Sequence, residues 1–501
     1  MMNSTLAPTR RVNAAAWAAI LVVGAVFLGR QIVTGGPFVR VVVAIVVMGV
    51  LAVPAIERPR AAVIGLFVLL PFLGVVRHLF LASTGTIALD PLLLVTSAVA
   101  VTIFVSLTLN NEMDFGGTPL SKIVFLLFVV SLLQVFNPGQ GATWSQVLLI
   151  GFTGVMINLI PIGFFFIARS ISDPEMTHKV VRIVLVVGTL AALYGLVQVF
   201  VGFRGFERTF LARQGYTALS VGGTTRPFSI FNNSAEYAAY AHYAFVVAFA
   251  TLLFAPKTKR LLLLATAGTI AYAGFLTGSR GFTVKIAIAA VALLAARARN
   301  RLLATGIILL MVTSFVVWSS STSSTTTIQS KQAGAAQLVE QQVRALADPF
   351  NREKSTLPIH FDAVATAMTY AVTQQPFGLG TGVVTRGGAK FGGIQAGTEL
   401  DIGDAFLALG VIGGVLYLLA IVMTLVQAGR VRRALPGPVW IGIWVMAATS
   451  IGAWLNGGNY AITPLIWFLI GAADGEFKRL RARGLIAGDR GTRIGAASLP
   501  A

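Results

Sequence analysis

Apolar runs of membrane-spanning length recur along nearly the whole chain, near residues 12–29, 38–56, 61–81, 87–109, 120–136, 145–168, 180–201, 235–255, 260–277, 282–296, 302–318, 405–427, 438–455 and 460–473. A hydrocarbon core about 30 Å thick is crossed by about 20 helical residues, so the pattern predicts about fourteen spans. Lipid offers backbone amides no partner, and the alternation of a barrel strand is absent, which leaves helices. Composition agrees: 56% of residues are hydrophobic and 11% charged, where a soluble domain carries about 25% charged residues. The expected fold is all-α, a polytopic transmembrane helical bundle. The absence of cysteine excludes disulfides, thiolate metal sites and cysteine nucleophiles.

The net charge of +20 would suggest nucleic acid in a soluble protein. Most of the basic residues here fall in alternate short connections, among them Arg10, Arg11, Arg58, Arg60, Lys122, Arg169, Lys179, Arg182, Lys257, Lys259, Arg260, Arg430, Arg432 and Arg433, and in the tail. That asymmetry predicts cytoplasmic termini and an inner-membrane protein, its basic tail facing anionic lipid. No basic patch comes with a nucleic-acid-binding fold, so no such partner is expected. The first apolar run has no cleavage site after it and reads as a retained span. The expected organisation is spans 1 to 11 over 1–318, including an outer loop at 202–234, then an extracytoplasmic loop at 319–404. Spans 12 to 14 follow at 405–473, and a basic cytoplasmic tail at 474–501. The long loop opens on a Ser/Thr tract and carries two amphipathic helices, the second starting after Thr356 with Pro358 in its first turn.

Charges on the outer face oppose the orientation rule and need a reason to be there. Arg226 lies in GGTTRPFSIFNNSAEYAAY before a span, and Arg280 in the short turn TGSRG between two spans. Each is either an interfacial anchor or part of a site for an anion, since a guanidinium pairs bidentately with phosphate oxygens. Lys285 is expected to snorkel. In ELDIGD, Glu399, Asp401 and Asp404 precede a span, where Asp404 is expected as the helix N-cap. His360 sits in the second loop helix and is a candidate base. Glu236 and His242 lie at and within a span. The glycine-rich PFGLGTGVVTRGGAKFGG lacks the context of a nucleotide loop, but with Arg386 it could contact phosphate or sugar through free amides.

The run RPFSIFNNSAEYAAY, the hairpin LTGSRGFTVKIAIAAVALL, the stretch TQQPFGLGTG and the span LGVIGGVLYLLAIV together resemble the O-antigen ligase and polysaccharide polymerase superfamily over about residues 120–430. The resemblance implies a membrane glycosyltransferase that uses no metal or other cofactor. It would take a glycan from a polyprenyl-pyrophosphate carrier outside the membrane and pass it to the hydroxyl of an acceptor glycan, beside other polysaccharide-assembly proteins. It implies that Arg226 and Arg280 bind the carrier pyrophosphate, with Arg386 of the glycine-rich stretch as the further substrate-binding candidate read from the residues themselves. Ligases of the family carry a His, followed by Asn, Ser or Gln, nine residues and Gly-x-x-Gly. Here Gly410 and Gly413 supply the glycines and Glu399 stands in place of the His. The departure favours a polymerase of O-antigen or exopolysaccharide, with Glu399 as base and Asp404 or His360 as substitutes. A ligase proper, a transporter of lipid-linked oligosaccharide and an envelope scaffold are the rivals.

Overall fold

The computed structural model describes residues 37–84, 92, 94–141, 143–214, 220–221, 224–297, 338–339, 343, 357–398, 400–455 and 460–486. The expected spans at 12–29 and 302–318, the Ser/Thr tract, Glu399 and the end of the basic tail lie outside the described residues. In chain order the helices are α1 (Pro37–Glu57), α2 (Pro59–Ala82), α3 (Leu94–Leu109), α4 (Pro119–Phe136), α5 (Trp144–Ile171), α6 (Pro174–Phe200) and α7 (Gly205–Gln214). After them come α8 (Ser234–Phe254), α9 (Lys257–Phe275), α10 (Arg280–Arg297), α11 (Leu357–Thr373), α12 (Asp401–Ala434), α13 (Pro438–Thr449) and α14 (Thr463–Ala482). A ladder of two residues a side, Ser220–Val221 against Thr224–Thr225, is the extended element among the described residues. Among the described residues six helices, α2, α4, α5, α6, α8 and α12, are long and apolar enough to cross a membrane. The chain is a helical membrane protein.

Local sequence explains where these helices start. Thr118 and Thr143 form capping boxes with Ser121 and Gln146, and the Asp173 and Asn233 side chains accept from the amides of Met176 and Glu236. Each satisfies amides that a helix N-terminus leaves open. Pro119 and Pro174 occupy first helical positions, where no amide is needed. The 3-10 turn Leu70–Phe72 within α2 contains Pro71, and the π turn Val155–Leu159 within α5 ends just before Pro161, in keeping with proline's missing donor.

The core centres on α14, which is buried on every side over most of Thr463 to Phe477 and packs along α5. Such a helix is apolar all round rather than amphipathic. Segments expected on the basic side meet at one end of the bundle. Arg60 pairs with Asp173 at 2.8 Å, Arg169 with Asp114 at 3.1 Å and with Asp474, and Lys478 with Asp114 at 2.9 Å. Arg169 and Asp474 have fully buried side chains.

Two expectations are corrected. The run 438–455 is helical only to Thr449, because the chain turns through Gly452 at φ +84°. The helix after ELDIGD starts at Asp401 with Leu400 as N-cap, so Asp404 is not the cap. The glycine-rich stretch 376–396 is irregular backbone, turns and bends around one short helix, and much of it is buried. Within α12, Gly410 breaks the helix at φ 69°, ψ −167°. The carbonyls of Leu407 and Ala408 then accept from Leu379 and Gly380, and Val411 donates to the Pro376 carbonyl, at 2.8, 3.0 and 3.0 Å. Backbone groups freed by the break are thereby satisfied inside the protein. The same stretch reaches α5, where Asn158 in the π turn donates to the Thr381 carbonyl at 2.9 Å.

Candidate functional site

Arg226 and Arg280 come together at the end of the bundle opposite the Arg169–Asp474 pair. The turn between α9 and α10 reverses through Gly278 at φ +69°, a backbone geometry suited to glycine. The Thr277 hydroxyl donates to the Gly274 carbonyl at 2.6 Å and accepts from the Ser279 amide at 3.3 Å, which fixes the turn. Arg226 Nε donates to the Thr277 carbonyl at 2.5 Å. Arg280 begins α10, and its Nη1 is buried with no hydrogen-bond partner among the described residues. Burial, and then the like charge of Arg280, push the Arg226 guanidinium below the ordinary arginine value. Two cations held this close favour an anion between them.

The segment that presents Arg226 is clamped from three helices. Gln198, in the last turns of α6, accepts from the Phe228 and Ser229 amides at 3.1 and 2.7 Å and donates to the Ser229 carbonyl. Arg77 of α2 donates to the Asn232 side chain at 2.6 Å, and Ser234 of α8 donates to the Arg226 carbonyl at 3.3 Å. Sequence reading passed over Gln198 and Arg77 as positioning residues. A lone amide in the apolar LVQVF was the available signal for the first.

The other candidates have separate surroundings. Asp404 Oδ1 accepts from the Thr398 amide at 2.6 Å and from its hydroxyl at 3.1 Å. Asp401 accepts from the Tyr417 hydroxyl at 3.1 Å and from the Leu455 amide. Glu236 accepts from the Ala461 amide at 2.8 Å and from both nitrogens of Asn232. Glu236 and Asp401 thus hold the two ends of the segment 455–461. His360 lies in the first turn of α11, which runs beside α12. Arg386 is exposed, at the N-cap of the single-turn helix Gly387–Lys390. Its neighbour Thr385 meets Thr153 of α5, hydroxyl to hydroxyl at 3.0 Å. His242 Nε2 meets the Thr449 hydroxyl at 2.8 Å. Lys285 is turned into the bundle within electrostatic reach of His242 and Asp401, where the sequence reading has it snorkelling outward.

No protein-family model matches this sequence, and the search of curated proteins finds no significant match.

Proposed function

We propose that the chain is a glycosyltransferase of the inner membrane, with about fourteen spans, cytoplasmic termini and an extracytoplasmic loop at 319–404. It polymerises or ligates oligosaccharide units from a polyprenyl-pyrophosphate carrier. The carrying observation is the Arg226–Arg280 pair, two guanidiniums with a buried unsatisfied donor at the end away from the basic connections. In this reading they bind the pyrophosphate and stabilise the charge that develops as it leaves. The acceptor hydroxyl oxygen attacks the anomeric carbon, the carbon–oxygen bond to phosphate breaks, and the hydroxyl proton passes to Glu399. His360, or Asp404 released from Thr398, is the substitute base.

A transporter of the same lipid-linked substrate is the second reading. The break at Gly410 and the inward Lys285, His242 and Asp401 favour it, since transporters build sites from discontinuous helices and buried ionisable groups. Incubating the purified protein with a polyprenyl-pyrophosphate oligosaccharide separates the readings. A ladder of products supports polymerase, and transfer to a second lipid supports ligase. Intact substrate counts against both, and movement of that substrate across proteoliposome membranes would then support transport.

A further inference from the structure

Threonines inside the helices of this protein ordinarily return their hydroxyl to the carbonyl four residues back, as Thr102, Thr189, Thr251, Thr266 and Thr449 do at 2.7 to 2.9 Å. Thr283 departs from that habit. Its Oγ1 is buried and has no partner among the described residues. The carbonyl it would use, that of Ser279, already accepts from the Phe282 amide at 3.1 Å and the Thr283 amide at 3.5 Å. Arg280 Nη1 is in the same condition one turn earlier. Residues three apart on a helix are neighbours on one face, and among the described residues no other two such unsatisfied atoms lie within one helical turn. A buried donor without an acceptor costs about 1–3 kcal/mol, so two on one face of a helix turn mark a place where an acceptor-rich group belongs.

We infer that Thr283 is a third ligand of the site, its hydroxyl donating with Arg226 and Arg280 to a diphosphate rather than to a single phosphate. The inference rests on the anion-site reading of the arginine pair. Two guanidiniums on separate segments and a hydroxyl one turn along α10 are spread along the helix. Arg280 and Thr283 are offset by about 4.5 Å at 1.5 Å per residue, which suits an anion with oxygens on two phosphorus atoms. Lys285 is not part of this set, since two residues of helix turn it to a different face, toward α8 and α12.

The test is calorimetric titration of the purified full-length protein in detergent with inorganic pyrophosphate and, separately, orthophosphate. Pyrophosphate is expected to bind more tightly than orthophosphate. Thr283→Val, which keeps the shape and loses the hydroxyl, should weaken pyrophosphate binding about tenfold, the scale of a hydrogen bond to a charged group. Thr283→Ser should restore it, and in the transfer assay T283V should raise KM for the carrier while kcat changes less. Wild-type affinity in T283V together with loss in Arg280→Ala overturns the role of Thr283 and leaves the arginine site standing. Equal loss in T283V and T283S also overturns it, as a packing effect. Equal affinity for the two anions overturns the diphosphate assignment, and no binding of either overturns the site altogether.

Discussion

Arg226 Nε donates to the Thr277 carbonyl at 2.5 Å, so the segment entering α8 is tied to the turn that starts α10. That bond sets one guanidinium beside another, although the two arginines are 54 residues apart in the chain. The two guanidiniums lie within electrostatic reach of one another, as the proposed pyrophosphate site needs.

Replacing Arg280 by Ala should lower polymer yield at least about a hundredfold, the scale seen when one preorganised donor is removed from a developing charge. Arg280→Lys should recover only part of it, because an ammonium lacks the planar fork. Product gels, normalised to protein in the membrane fraction, check this. Undiminished polymer from R280A would sink the assignment.

Gly410→Ala should destabilise the fold by about 1–3 kcal/mol. At φ 69°, ψ −167° a side chain is strained, and the added Cβ would also run into the Pro376 carbonyl. The expected signs are a lower detergent melting temperature and earlier proteolysis within 376–396. Gly268→Ala, inside the regular helix α9 where an added Cβ meets no other atom within 4 Å, is the comparison.

Asp474→Asn should cost up to about 3–5 kcal/mol, since it removes the fully buried carboxylate of the Arg169 guanidinium and leaves it only the partly exposed Asp114. Replacing both partners together, Arg169→Met with Asp474→Leu, should cost less than D474N alone. Thermal unfolding in detergent measures both, and a double variant worse than D474N would count against the ion pair as the reason.

The Asp173 carboxyl is held below its usual value by the Met176 amide it accepts and by Arg60, against a smaller opposing effect of burial. A carboxyl with a depressed folded value contributes stability that is complete above the ordinary aspartate range and is lost as pH falls through the depressed value. Asp173→Asn keeps a capping side chain and removes the titration. Its unfolding midpoint should therefore fall less steeply than wild type below about pH 4, while at neutral pH it is the less stable protein.

Membrane residence and helical class were legible in the sequence because both depend on runs of adjacent residues. Spans at 61–81, 120–136, 145–168, 180–201, 235–255 and 405–427 correspond to α2, α4, α5, α6, α8 and α12. The start of α11 after Thr356 was legible for a similar reason, since a proline in the first helical turn is a local signal. The end of α13 at Thr449 was not, because the apolar run continues through Ser450 to Leu455 while the backbone turns to meet Asp401.

The order of residues alone is enough to show that this chain forms apolar helices with basic connections, and to single out Arg226 and Arg280 as charges without a topological reason. It takes the packing of distant segments to make the two arginines neighbours, to leave Thr283 without an acceptor among the described residues, and to fill the break at Gly410 with the glycine-rich stretch. Hydrophobicity and capping act over a few consecutive residues and can be read in order. The meeting of Arg226 with Thr277, or of Pro376 with Val411, depends on how separate helices pack, and no local pattern encodes it.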